Sequence, residues 1–266
     1  MATVAPDTRV RATAEEAAKL SFEGSPASLK ATFASTGETV DAQEIEAKSA
    51  PDLIDVTWKV NGVDVSAVIE IVASRYCSLK SIIEYRADQY QLEDTYGEDD
   101  DAVWEARARA EEVIESEAHR AFQPVMRRGY VDRPNCRTRT LVYGPDGYDP
   151  DLRSIVSAVD QNGDKANVRQ ARPGSPYVDV SMMPFGGSAD LVYMSGTQMP
   201  SEAPDAVRAL AAWYLSAKTS PDNATSTSTE AGVINFVIGG VDGAATSLPE
   251  VNALIERHGR KDYQVG

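Results

Sequence analysis

Residues 53–63 read Leu-Ile-Asp-Val-Thr-Trp-Lys-Val-Asn-Gly-Val, and this stretch decides the fold of the N-terminal part of the chain. β-Branched and aromatic residues dominate positions 53–60. Such side chains suit an extended, half-buried strand, where they pack well on a pleated surface. Asn61-Gly62 then supplies the two residues that best tolerate the positive φ angles of a type I′ turn. Val63, Val65, Val68, Ile69, Ile71 and Val72 form the return strand, so the stretch is predicted to be a hairpin.

Upstream, Leu29, Thr32 and Phe33 precede the turn-like run Ser35-Thr36-Gly37-Glu38, and Val40 opens another strand. The pattern predicts a small β domain over 28–76 that fits an immunoglobulin-like half-sandwich, preceded by an N-terminal segment 1–27. Spacing and composition alone specify only a β module, because many small β domains share them.

Beyond Ser78 the apolar period lengthens from about two to about 3.6 residues. Ile82, Ile83, Arg86, Tyr90 and Leu92 predict a helix over 81–96 that stops near Gly97. Glu98-Asp99-Asp100-Asp101 opens a longer helix, 101–122, with Asp99 or Asp100 as N-cap and the acids at the positive end of the dipole. The run reads as a solvated helix start, and no metal site is expected there. Val103, Ala106, Ala110, Val113, Ile114, Ala118 and Phe122 occupy one face. Glu105, Arg107, Arg109, Glu111, Glu112 and Glu115 occupy the other.

Between 120 and 139 stand Arg120, Arg127, Arg128, Arg133, Arg137 and Arg139, opposed only by Asp132. Two readings apply. The guanidiniums face DNA phosphates or an acidic partner, or they pair internally with the preceding acidic helix. A β insertion over 137–196 follows, with strands expected at 138–143, 155–159, 166–170, 176–182 and 190–194.

Ser201-Glu202-Ala203-Pro204 then signals the start of a helix over 204–217 with the stripe Val207, Leu210, Ala211, Tyr214 and Leu215. The hydroxyl-rich run 219–229 is predicted to be a tether. Val233, Phe236, Val237 and Ile238 form a strand, and Ser247-Leu248-Pro249-Glu250 is a capping box for a last helix bearing Val251, Leu254 and Ile255 and stopping at Gly259. The expected whole is an α+β chain: the β domain, a helical core over 77–218 interrupted by the β insertion, and a tether with a strand-helix docking arm over 219–266.

Bulk properties limit the function classes. Forty-one acidic against 26 basic residues give a net charge of -15, which opposes unaided adhesion to nucleic acid or anionic membrane. Cys77 and Cys136 are too few for a disulfide framework. No stretch is long and apolar enough for a membrane span, and residues 1–20 lack the apolar core of a signal peptide, so a soluble, non-secreted protein is expected. No catalytic residues, cofactor site or metal site is expected. His119 and His258 belong to no HExxH pattern, and the glycine run at 239–243 has neither phosphate-loop spacing.

The succession Asp190-Leu-Val-Tyr-Met-Ser-Gly196, Pro200 to Pro204, the Ala-rich helix 205–217, the Thr/Ser run, Glu230-Ala231-Gly232 and Leu248-Pro249-Glu250-Val251 resembles the head-tail connector (head-to-tail adaptor) family of long-tailed bacteriophages. The helix pair at 81–122 is similar in placement, so the resemblance covers about residues 80–262. Order and spacing carry it rather than any one motif. The N-terminal β block departs from the smallest members.

The resemblance implies a ring, usually of twelve copies, beneath the portal protein. It would sit in the neck of the virion after assembly in the host cytoplasm, join a downstream tail-completion or stopper protein, and surround the channel through which DNA passes. It also implies basic residues on the last helix, here Arg257, Arg260 and Lys261. The candidate partner contacts are Phe236, Ile238, Val251 and Leu254 on the arm and Arg127 and Arg128 in the basic stretch. The alternative is an immunoglobulin-like capsid- or receptor-binding decoration module, with an enzyme ranked third.

Overall fold

The computed structural model describes residues 3–47, 49–98, 100–133, 138–145, 147–216, 226–229, 232–235, 246 and 248–260. Asp99, Cys136, Arg137, Phe236, Val237, Ile238, the glycine run 239–243, Ser247, Lys261 and tether positions 219–225 lie outside the described residues. The chain is α+β and divides into two compact units, residues 1–75 with 121–198 and residues 76–120 with 199–266.

The first unit opens with β1 (Thr3–Val4), β2 (Arg9–Ala12), α1 (Ala14–Ala17) and β3 (Ser21–Phe22), followed by β4 (Leu29–Phe33), β5 (Thr39–Ala42), β6 (Asp52–Val60) and β7 (Val63–Ile71). Their main sheet has the order β2-β7-β6-β4-β5. The β6–β7 hairpin closes through Asn61 and Gly62 at φ 52° and 84°, the left-handed geometry its two-residue loop demands. Along β6, Ile54, Val56 and Trp58 are buried while Thr57 and Lys59 face solvent. Each such burial contributes about 1.5–3 kcal/mol. Trp58 meets the edge of Phe22 at 5.3 Å and donates its indole N–H to the Glu23 carbonyl at 3.0 Å.

The expected N-terminal segment 1–27 shares the sheet and core of the β domain. β2 runs parallel to β7, and Val4, Ala12 and Phe22 are core residues of this domain. A strand pairing across some 60 residues has no signature in local periodicity, which is why the boundary at residue 28 does not hold.

The same unit continues with β8 (Val125–Asp132), β9 (Arg139–Leu141), β10 (Tyr143–Gly144), β11 (Gly147–Tyr148), β12 (Ser154–Asp160), β13 (Arg169–Gln170), β14 (Tyr177–Asp179) and β15 (Ser188–Ser195). Five of these form an antiparallel sheet of order β11-β10-β8-β15-β12, and β13-β14-β9 form a smaller one. The β region begins at Val125, twelve residues earlier than residue 137 of the sequence reading, because much of the arginine-rich stretch is itself strand β8. Its pairing with β15 is unbroken from Val125↔Ser195 to Asp132↔Ser188. Gly129 is required here: a Cβ would lie 2.2 Å from the Tyr143 carbonyl oxygen. Val131, Val142, Val178, Val180, Leu191 and Tyr193 fill the core.

The second unit contains α2 (Leu79–Ile83), α3 (Ala87–Tyr90), a 3₁₀ turn (Leu92–Asp94), α4 (Asp101–Ala118), α5 (Ala203–Leu215), β16 (Ser226–Thr229), β17 (Gly232–Asn235) and α6 (Pro249–His258). The single helix expected over 81–96 is broken twice, at Arg86 and Gln91, both with left-handed φ of 45° and 50°. The breaks let Ile82, Ile83 and Leu92 all reach the interior. α4 stops at Ala118 because His119 turns left-handed as its C-cap, four residues short of Phe122. α4 packs on α2, α5 and α6, and α5 packs on α6. Ser226–Thr229, expected in the tether, pairs antiparallel with Gly232–Asn235. An alternating Ser/Thr run has β propensity as well as linker composition.

Candidate functional site

In the helical unit the strongest constellation is polar and buried. Arg107, Glu111 and Glu115 were assigned to the outer face of α4, yet they are 3%, 1% and 8% exposed. Tyr76 is a partner of both carboxylates. Its hydroxyl donates to Glu115 at 2.5 Å and its backbone N–H donates to Glu111 at 3.3 Å. The Arg107 guanidinium donates to the Cys77 carbonyl at 3.3 Å. Burial and the neighbouring Glu111 push the Cys77 thiol up to about 11, so it is held protonated and is a poor nucleophile. The seam therefore anchors residues 76–77 to α4 rather than forming a reactive centre.

A second polar lock joins α5 to α6. Glu202, the N-cap residue of α5, accepts from Arg257 at 2.6 Å and lies 3.3 Å from His258 Nε2. Its own backbone N–H, then His258 and Arg257, hold its carboxyl down to about 2. At the same end of α6 the Arg260 N–H donates to the Ala118 carbonyl and Arg120 donates to the His258 carbonyl, so the end of α6 is also tied to the end of α4. The entry to α6 is held by Asn252, whose side chain accepts from Thr246 N–H at 2.8 Å and donates to Thr246 O at 2.8 Å. The N-cap is Leu248, which makes no side-chain cap, and Ser247 of the expected Ser247–Glu250 capping box lies outside the described residues.

This arrangement places the candidate partner contacts. Val251 and Leu254 are 0% and 1% exposed and belong to the interior of the helical unit, because α6 turns its apolar stripe onto its own chain. They are thus not an open docking face. Arg128 makes a two-pronged ion pair with Asp55 on β6, with Nη1 at 2.9 Å from Oδ1. Arg127 adds its field to a buried carboxylate, Glu70, which is gripped by Arg9 at 2.9 Å and Arg11 at 2.8 Å. Burial raises the pKa of Glu70, but the guanidiniums of Arg11 and Arg9 outweigh it and keep the group below its ordinary value. Part of the basic stretch is thus internally paired, with acids of the N-terminal sheet rather than of the helix before it. Phe236 and Ile238 lie outside the described residues.

Sequence reading missed one surface. The outward faces of β8, β10, β12 and β15 enclose a groove of about 530 Å³ that includes Tyr130, Tyr143, Val159, Asp190 and Val192. The alternation of β15, in which Ala189, Leu191 and Tyr193 are buried and Asp190 is exposed, was a signal that this sheet keeps one face open.

Among the described residues no group of three or more His, Cys, Asp or Glu side chains is arranged to hold a metal ion, and no helix is long and apolar enough to cross a membrane. In comparisons with protein-family models and with curated proteins, no family model and no curated protein matches the chain.

Proposed function

We propose that this chain is a non-catalytic virion protein, a head-tail connector subunit that assembles as a ring beneath the portal protein and links capsid to tail. The observation that carries this reading is the order of parts in the second unit. Residues 76–120 and 199–266 form one compact body although a β region separates them in sequence. Within it, α5 carries a proline at its second position and α6 at its first, and a two-stranded hairpin lies between them in sequence. The proline-started helix, the Thr/Ser run and the last helix are among the parts on which the resemblance to the connector family rests; the hairpin is an addition to them. The N-terminal sheet is read as the immunoglobulin-like addition and the packed helices as the connector's bundle.

Ring assembly around twelve copies, a portal above and a tail-completion or stopper protein below follow from this reading. The net charge of -15 suits a DNA conduit, since fixed positive charge on its wall would hold phosphates and slow their passage. Co-expression with a cognate portal protein, followed by native mass measurement and negative-stain imaging, tests it. A multimer of the chain bound to portal is expected. Capsid-shell binding by a monomer or trimer, without portal affinity, would replace it with the decoration reading, which the open aromatic sheet face favours. A second arm replaces the 226–235 hairpin by a Gly-Ser linker of equal length. Unimpaired portal binding there would remove the hairpin from the contact.

A further inference from the structure

On the outward face of the larger antiparallel sheet of the first unit, four side chains stand in matched register across four strands. Tyr143 is opposite Tyr130, Tyr130 is opposite Asp190, and Asp190 is opposite Val159. Val192, paired with Arg128, adds a second aliphatic wall one row away. The two tyrosine rings stack at 5.4 Å and 17°, yet they remain 45% and 38% exposed, and Val159 is 39% exposed. The groove's volume of about 530 Å³ lies within the range of sites that take small ligands or anchoring side chains. A contiguous patch of this kind is more informative than the single exposed apolar residues found on any surface.

Charge decides what the groove accepts. Among the described residues that line it, two are charged. Arg128 is already neutralised by Asp55. Asp190 is exposed, and its side chain has no hydrogen-bond or ion-pair partner among the described residues. Among the described residues the groove therefore holds one uncompensated carboxylate between aromatic and aliphatic walls. A neutral occupant would cover that carboxylate without pairing it, at a desolvation cost. A phosphate or carboxylate ligand would be repelled by it.

We propose that this groove binds an arginine or lysine side chain presented by a partner protein. The cation sits between the Asp190 carboxylate and the face of Tyr130 not covered by Tyr143, and its aliphatic stem lies along Val159 and Val192. Cations are drawn to the negative face of an aromatic ring, and Arg and Lys stems bury readily on apolar surface. The stacked tyrosines are already in place, so little ordering accompanies binding. Such a contact would serve an adaptor or a decoration protein equally, so the proposal is independent of the ring.

The test uses the full chain, isotopically labelled, titrated with acetylated and amidated Leu-Arg-Leu while backbone amide signals are followed by NMR. The control is the same peptide with citrulline, which keeps the shape of arginine but not its charge. Shifts confined to 128–131, 157–159 and 189–193 are expected, with the citrulline peptide about tenfold weaker. Asp190→Asn should reduce the preference severalfold, leaving only what the Tyr130 ring supplies, and Tyr130→Ala should weaken the arginine peptide about fivefold. Both positions are exposed, and the unshifted remainder of the spectrum reports that the variants fold. Equal binding of the two peptides, an Asp190→Asn protein whose preference is undiminished, or absence of shifts in those segments at millimolar peptide would overturn the proposal.

Discussion

Replacing Arg11 by Met should destabilise the N-terminal sheet, and the arrangement around Glu70 sets the size of the effect. The Glu70 side chain is 4% exposed, and Arg11, itself 14% exposed, approaches its Oε2 at 2.8 Å. Breaking a buried ion pair by removing one partner costs about 3–5 kcal/mol, because the remaining charge is left in low dielectric. Arg9 still reaches Oε1 at 2.9 Å and Arg127 still contributes its field, so about 2–3 kcal/mol is expected. Arg9 is 51% exposed and its contact is screened by water, so Arg9→Met should cost about 0.5–1 kcal/mol.

The pH dependence has a definite sign. Glu70 titrates below its ordinary value in the folded chain, so the clamp's contribution is present above the unfolded carboxylate pKa and disappears as pH falls through the folded one. Arg11→Met should move that acid-side loss to higher pH. The assay is urea unfolding followed by Trp58 fluorescence in a Trp104→Phe, Trp213→Phe background, since the other two tryptophans belong to the second unit. An Arg11→Met loss under about 1 kcal/mol, or an equal loss in Arg9→Met, would refute a clamp centred on Arg11.

Three further outcomes are expected. Leu254→Ala should destabilise the helical unit by about 2–5 kcal/mol in thermal or urea unfolding, and a variant that stays stable while losing partner binding would return Leu254 to the docking face. Glu202→Gln should flatten the acid sensitivity of α6 docking. Glu202 is depressed to about 2 from 4.5, so its contribution holds above about pH 4.5 and is lost between there and about pH 2, as hydrogen exchange of the α6 amides would reveal. Gly129→Ala should cost several kcal/mol or prevent folding of the larger sheet, since the new methyl would meet the Tyr143 carbonyl at 2.2 Å; near-normal circular dichroism and melting would contradict this.

Much of the local structure was legible in the residues. Asn61-Gly62 dictated a two-residue hairpin because few other pairs accept positive φ at both positions. The spacing of Val103, Ala106, Ala110, Ile114 and Ala118 determined which side of α4 faces inward, and prolines marked the starts of α5 and α6. These are short-range signals, written within one turn or one strand.

What only the tertiary structure decided is non-local. β2 joins β7 in parallel, and the arginine-rich stretch becomes β8 because β15, some 60 residues later, supplies its hydrogen-bonding partner. Glu111 and Glu115 are interior residues that accept hydrogen bonds from Tyr76, some 35 to 39 residues away, which no local pattern announces. Val251 and Leu254 read as a docking stripe, yet an amphipathic face does not say whether it packs on its own chain or on another. The groove is the clearest case: Tyr130, Tyr143, Val159 and Asp190 come from four strands, and only strand register places them in one row. Periodicity reports which side of an element is apolar, whereas pairing between distant segments is selected by the summed packing and hydrogen bonding of the whole fold.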